Sequence, residues 1–105
     1  MDKSIDSIIQ NYIDTLNQQK IGLASAYLFG SYASDKQRIN SDIDIALVLN
    51  ELTDNQVFNT QVKLMMIASK IDNKIEPHPI SVQDLNSNNP FATEIIKTGI
   101  KLKIN

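Results

Sequence analysis

A chain of 105 residues fits one compact domain and leaves no room for two, so positions 1–105 read as a single unit. An apolar share of 42% argues against disorder throughout, and the absence of cysteine excludes disulfides and thiolate metal sites. A formal charge of −2 without a basic stripe argues against a grip on long nucleic acid.

The opening Met1-Asp2-Lys3-Ser4 runs into an amphipathic pattern rather than a secretory leader. With no cysteine, the chain fits an all-reduced compartment, and a cytoplasmic location is expected. Ile5, Ile8, Ile9, Tyr12, Ile13 and Leu16 recur at the spacing of one helix face, predicting a helix over 4–19 that stops before Gly22. Ala24 to Phe29 reads as a short strand ending at Gly30, followed by a polar stretch from Ser31 to Ser41 that holds Lys36 and Arg38. Asp42 to Leu49 alternates in its first half. That pattern predicts a strand with Ile43, Ile45 and Leu47 in the core, and Asp42, Asp44 and Ala46 on a face open to a site. The run Ile45–Leu49 is far too short to span a bilayer, which takes roughly 20 residues, so no membrane role is expected.

Thr53-Asp54-Asn55-Gln56 matches a capping box. The helix behind it is expected to reach about Ile71, burying Val57, Phe58, Val62, Met65 and Ala68, with Met65-Met66 in the core. Lys74 to Val82 predicts a third strand. Pro77 and Pro79 cannot donate to a ladder, which places it at an edge or a bulge. Asn89-Pro90 starts a last helix, as N-cap and first-turn residue, and Gly99 ends it. Ile100 to Ile104 alternates and reads as a final short strand. The order α-β-β-α-β-α-β implies a single small α/β (α+β) domain, a mixed sheet with helices packed on it.

The chemistry lies in Gly30-Ser31, ten residues, then Asp42-Ile43-Asp44. Two aspartates two apart on a strand point the same way, with Cβ atoms roughly 7 Å apart. Carboxylates so placed repel each other unless a cation stands between them. Hard divalent ions such as Mg²⁺ take oxygen ligands and keep positions open for phosphate, and an Asp-x-Asp pair suits two ions about 4 Å apart. Gly30, lacking a Cβ, lets backbone amides approach a phosphate, and Ser31 adds a hydroxyl. If Ser31-Tyr32-Ala33-Ser34 opens a short helix, its amides add positive potential. A valine at Gly30, adding bulk where a phosphate would approach, is then expected to abolish activity while leaving the fold largely intact.

The stretches Leu28-Phe29-Gly30-Ser31-Tyr32-Ala33 and Ser41-Asp42-Ile43-Asp44-Ile45-Ala46, with their ten-residue gap, resemble the signature of the DNA polymerase β-type nucleotidyltransferase superfamily. They look like its small prokaryotic branch, the minimal nucleotidyltransferases. The tail from Asn89-Pro90-Phe91 to Gly99-Ile100 resembles that branch's closing helix, so the likeness spans most of the chain. It implies a polymerase β-like fold that transfers a nucleoside monophosphate, AMP from ATP, to an acceptor hydroxyl with two Mg²⁺ ions. Asp42 and Asp44 would be metal ligands and catalytic, and Gly30 and Ser31 would hold the phosphates.

The family also needs a third carboxylate on a later strand. Glu76 is the best candidate, with Asp72 and Asp84 as alternatives; the usual residue there is Asp, and the prolines beside Glu76 are atypical. Lys36 and Arg38 are candidate phosphate contacts, His78 shares a face with Glu76 if the strand is regular, and Tyr32 suits packing as well as base stacking. Larger family members carry a helical domain that holds the acceptor. This chain has none, so a separate helical partner is expected. In the minimal branch that partner is often a HEPN-type RNase toxin modified on a tyrosine, which implies the antitoxin of a HEPN/MNT pair. An RNA end or a small molecule is the other acceptor class. The alternative function is a non-catalytic antitoxin acting by contact alone.

Overall fold

Ile5, Ile9, Tyr12, Ile13 and Leu16 are all buried, and they make one face of α1 (Lys3–Gln18). The structure, a computed structural model, describes residues 3–104, and side chains from Ser4 onward. Met1 and Asp2, on which part of the leader reading rests, lie outside the described residues. β1 (Leu23–Phe29) and β2 (Ile43–Leu49) follow. A 3₁₀ turn (Asp54–Gln56) leads into α2 (Val57–Ser69), with the Gln56 side chain accepting from the Thr53 amide at 3.1 Å. Then come β3 (Ile75–Ser81), α3 (Val82–Leu85), α4 (Pro90–Thr98) and β4 (Ile100–Lys101). Asn89 caps α4 as expected, its side chain accepting from Phe91 N at 2.8 Å.

The strands form one mixed sheet in the order β3-β2-β1-β4. β2 runs antiparallel to β1 and parallel to β3, and β4 is antiparallel to β1. On one face Ala26, Leu28, Ile43, Ile45 and Leu47 pack against α1 and against Leu64, Ile67 and Ala68 of α2. Tyr12 is locked into this layer, donating from its hydroxyl to the Leu64 carbonyl at 2.9 Å. On the other face Phe29, Ala46, Val48 and Ile80 pack against Leu85, Ala92 and Ile95 of the last two helices.

β3 is the edge strand that its prolines require. In a parallel pair, alternate residues turn their backbone groups toward the neighbour. Lys74 O bonds Ile43 N at 2.7 Å, so the backbone of Pro77 faces the open edge, where its carbonyl accepts from the Gln61 side chain at 2.8 Å. Neither proline removes a ladder bond.

Four expectations need correction. The buried stripe of α2 is Leu64, Ile67 and Ala68, whereas Val57, Phe58, Val62, Met65 and Met66 are exposed, so the Met pair is not core. This helix is apolar over most of its circumference, and periodicity alone cannot choose the face that meets the sheet. Ala46 is fully buried, so the second face of β2 is open only near Asp44. Val82 leaves the sheet to start α3, whose N-cap Ser81 accepts from Asp84 N at 3.0 Å. The final strand holds two residues rather than five. Among the described residues, no helix is long and apolar enough to cross a membrane.

Candidate active site

Reading across the sheet, Phe29 of β1 stands opposite Asp44 of β2, and Asp44 stands opposite Glu76 of β3. Side chains opposite one another share a face, so both carboxylates project side by side. The next row is Tyr27, Ala46 and His78, and the one after it is Ser25, Val48 and Ile80. On this face the sheet thus passes from carboxylates to buried hydrocarbon within three rows: α3 and α4 cover Phe29 and the rows beyond it but leave Asp44 and Glu76 partly exposed.

Gly30 closes the site at the end of β1. Its φ is +73°, a conformation that costs an L-residue about 1–2 kcal/mol. A Cβ at this position would stand 2.5 Å from Asp44 Oδ2. The glycine is therefore demanded both by the turn and by the carboxylate lying against it. A valine here would strain the turn and displace the Asp44 carboxylate. Beyond it, Ser34 N returns to Gly30 O and Lys36 N to Ser31 O, at 3.2 and 2.8 Å. Residues 31–35 are turns rather than a helix, so the proposed helix N-terminus is absent. Asp35, with φ +59°, ends the turn. Ser31 stays half-buried beside Gly30, and Tyr32 packs against the α1-side core rather than standing free to stack.

Asp42 precedes β2 and is exposed. Lys36 and Arg38 lie on the exposed loop, and among the described residues their side chains make no hydrogen bond or ion pair. Asp72 accepts from Lys74 N at 2.8 Å and so caps the turn into β3, while exposed Asp84 sits in α3 beyond the other end of that strand. Neither stands beside Asp44, which leaves Glu76 as the carboxylate that the fold sets next to it.

His78 is the residue the motif reading left outside the ligand set. Its Nε2 lies 3.2 Å from Asp44 Oδ1, with the two side chains 35% and 26% exposed. The signal was its i, i+2 alternation with Glu76 along a strand. As the side chains stand, no three His, Asp or Glu among the described residues are grouped closely enough to hold a metal ion together. Asp44 and Glu76 form a pair, and Asp42 lies on the adjoining loop. An open, all-oxygen donor set of this kind fits a hard cation that keeps positions for phosphate. A cleft of about 410 Å³, lined in part by Lys20, Leu49, Glu51 and Lys63, lies at the opposite end of β2 and has no part in this arrangement.

The family described as Polymerase beta, Nucleotidyltransferase matches residues 10–105. No functionally curated protein matches the chain. Among solved structures, a toxin-antitoxin crystallised with AMP-PNP is 27% identical with a TM-score of 0.61, covering 91% of this chain and 73% of that one. A putative nucleotidyltransferase from Sulfolobus solfataricus is 19% identical with a TM-score of 0.64, over 90% of this chain and 76% of its own. A complex of a tri-AMPylated Shewanella oneidensis HEPN toxin with its MNT antitoxin is 23% identical with a TM-score of 0.55, over 91% and 70%. With nearly the whole chain matched and the Gly-Ser and Asp-x-Asp elements set at one end of a mixed sheet, the protein belongs to the polymerase beta family of nucleotidyltransferases.

Proposed function

We propose that this chain, over residues 1–105, is a minimal nucleotidyltransferase domain that transfers AMP from Mg²⁺-ATP to a hydroxyl on a HEPN-type partner protein. The observation that carries the reading is the row Asp44–Glu76, with Gly30 packed against the Asp44 carboxylate. That row sets the phosphate turn and the acidic pair against each other. The chemistry of the substrate is supported by the similar toxin-antitoxin bound to AMP-PNP, and that of the acceptor by the AMPylated HEPN toxin complex.

In this reading Asp42, Asp44 and Glu76 hold the divalent cations. Bound there, the cations would neutralise charge on the phosphates and on the leaving pyrophosphate. Backbone amides of the Gly30-Ser31 turn and the Ser31 hydroxyl hold the triphosphate, with Lys36 and Arg38 on the exposed rim. Glu76 stands beside Asp44 as the group to accept the proton of the attacking hydroxyl. The O–P bond to the acceptor forms as the bond to pyrophosphate breaks. The protein's share is positioning and electrostatics rather than covalent work.

A domain this small cannot hold both reactants, so transfer by the chain alone is expected to be poor and to rise when the partner supplies the hydroxyl. The test is α-labelled ATP with Mg²⁺ and this chain, with and without a HEPN-type partner. Label on the partner, lost in Asp44→Asn, supports the reading. No label on any macromolecule, with tight partner binding by wild type and mutant alike, overturns it in favour of an antitoxin acting by contact.

A further inference from the structure

His78 belongs to the row of Ala46, not to that of Asp44. To reach Asp44 it must cross the sheet diagonally, a span of roughly 7–8 Å between such neighbours that only a long side chain can bridge. Ala46 beneath it is small and fully buried, which leaves the diagonal clear. The ring is also held from behind. It meets Phe29 edge-on at 5.0 Å and 68°, and Phe91 of α4 at 5.9 Å, and those two phenyl rings meet each other at 5.3 Å and 75°. Aromatic contacts of this kind fix ring orientation and contribute about 0.5–1.5 kcal/mol per pair. The flanking Pro77 and Pro79 hold the strand's φ angles, so the backbone that carries the imidazole is stiff as well.

The two oxygens of Asp44 therefore have separate environments. Oδ1 accepts from His78, and Oδ2 lies against Gly30. A carboxylate only accepts, so Nε2 carries the hydrogen of the bond. We infer that His78 is a positioning residue: clamped by Phe29 and Phe91, it holds Asp44 Oδ1 and so presents Oδ2 toward the phosphate turn as the oxygen available for a metal ion. The inference rests on the metal-site reading given above. Hydrogen-bonded partners of ligating carboxylates generally matter in this way, and their loss costs about 10–100-fold in metal affinity.

The experiment uses the full chain and Mn²⁺ as the probe, with binding followed by calorimetry in wild type, Asp44→Asn, His78→Phe and His78→Gln. Phenylalanine keeps a ring against Phe29 and Phe91 but has no donor; glutamine keeps a donor without the ring. Mn²⁺ affinity is expected to fall about tenfold in His78→Phe at an unchanged melting temperature, and to recover largely in His78→Gln. The imidazole nitrogen chemical shifts provide the second readout. Nε2 is expected to be the protonated nitrogen in the wild type, and the tautomer preference is expected to relax in Asp44→Ala. If Asp44→Asn binds Mn²⁺ as the wild type does, the metal site itself is misassigned. If Asp44→Asn loses Mn²⁺ while His78→Phe binds it equally or more tightly, the site stands and the positioning role of His78 is overturned. An equal loss in the phenylalanine and glutamine variants also overturns it, because the ring rather than the hydrogen bond would then be at fault.

Discussion

At Leu49 the second strand is covered on both sides; five residues earlier, at Asp44, one side is bare. Leu47, Val48 and Leu49 are at most 2% exposed, with α1 and α2 beneath one face and α3 and α4 over the other. Asp44 has the same packed layer below it, but above it stand Phe29, Glu76, His78 and the Gly30 turn rather than a helix. One strand thus starts as a site and ends as a core. The difference comes from where the second helical layer stops. A carboxylate can sit on a buried strand only where the covering layer ends, because a charge taken fully out of water without a partner costs several kcal/mol.

Separate substitutions at the two ends should therefore fail in different ways. Asp44→Asn is expected to cut AMP transfer to a HEPN-type partner by about a thousandfold, the equivalent of about 4 kcal/mol of lost electrostatic stabilisation. Its melting temperature should hold or rise, and any stabilisation by Mn²⁺ should vanish. A variant that keeps its transfer rate would break the comparison outright. At the other end, Leu47→Ala opens a cavity beneath a fully buried side chain and is expected to cost about 3 kcal/mol in denaturant unfolding. Transfer per folded molecule should be unaffected. Loss of transfer at full folding would mean the two ends are not separate.

Gly30→Ala lies on the boundary and should do both, at smaller size. Its positive φ is expected to cost about 1–2 kcal/mol of stability, and the clash with Asp44 Oδ2 should weaken Mn²⁺ binding as well. A purely local loss of stability, with Mn²⁺ affinity intact, would show that the glycine serves the turn alone. The smallest effect belongs to Phe58→Gln. That side chain is 76% exposed, so unfolding should change by no more than about 0.5 kcal/mol. A larger cost would mean that the apolar outer face of α2 packs against something in the folded chain.

Much of this molecule is local and could be read without coordinates. The helical repeat of α1, the alternation of Ile43 to Leu47, the edge position forced by Pro77 and Pro79, and the cap-and-proline start of α4 are each decided by neighbours a few residues away. The same holds for the Gly30-Ser31 to Asp42-x-Asp44 spacing, since its chemistry needs only a turn and a strand. What the chain alone could not decide is which surface meets which. The apolar circumference of α2 offers several faces, and only contact with the sheet selects Leu64, Ile67 and Ala68 over Phe58 and Met65. Ala46 looks open by alternation and is closed by the layer of α3 and α4. Parallel pairing of β2 with β3 brings Glu76 beside Asp44 from 32 positions away, and the same register lets His78 reach back to it. Periodicity records which residues share a face; what covers that face is settled by packing between segments distant in sequence, and so belongs to the tertiary structure.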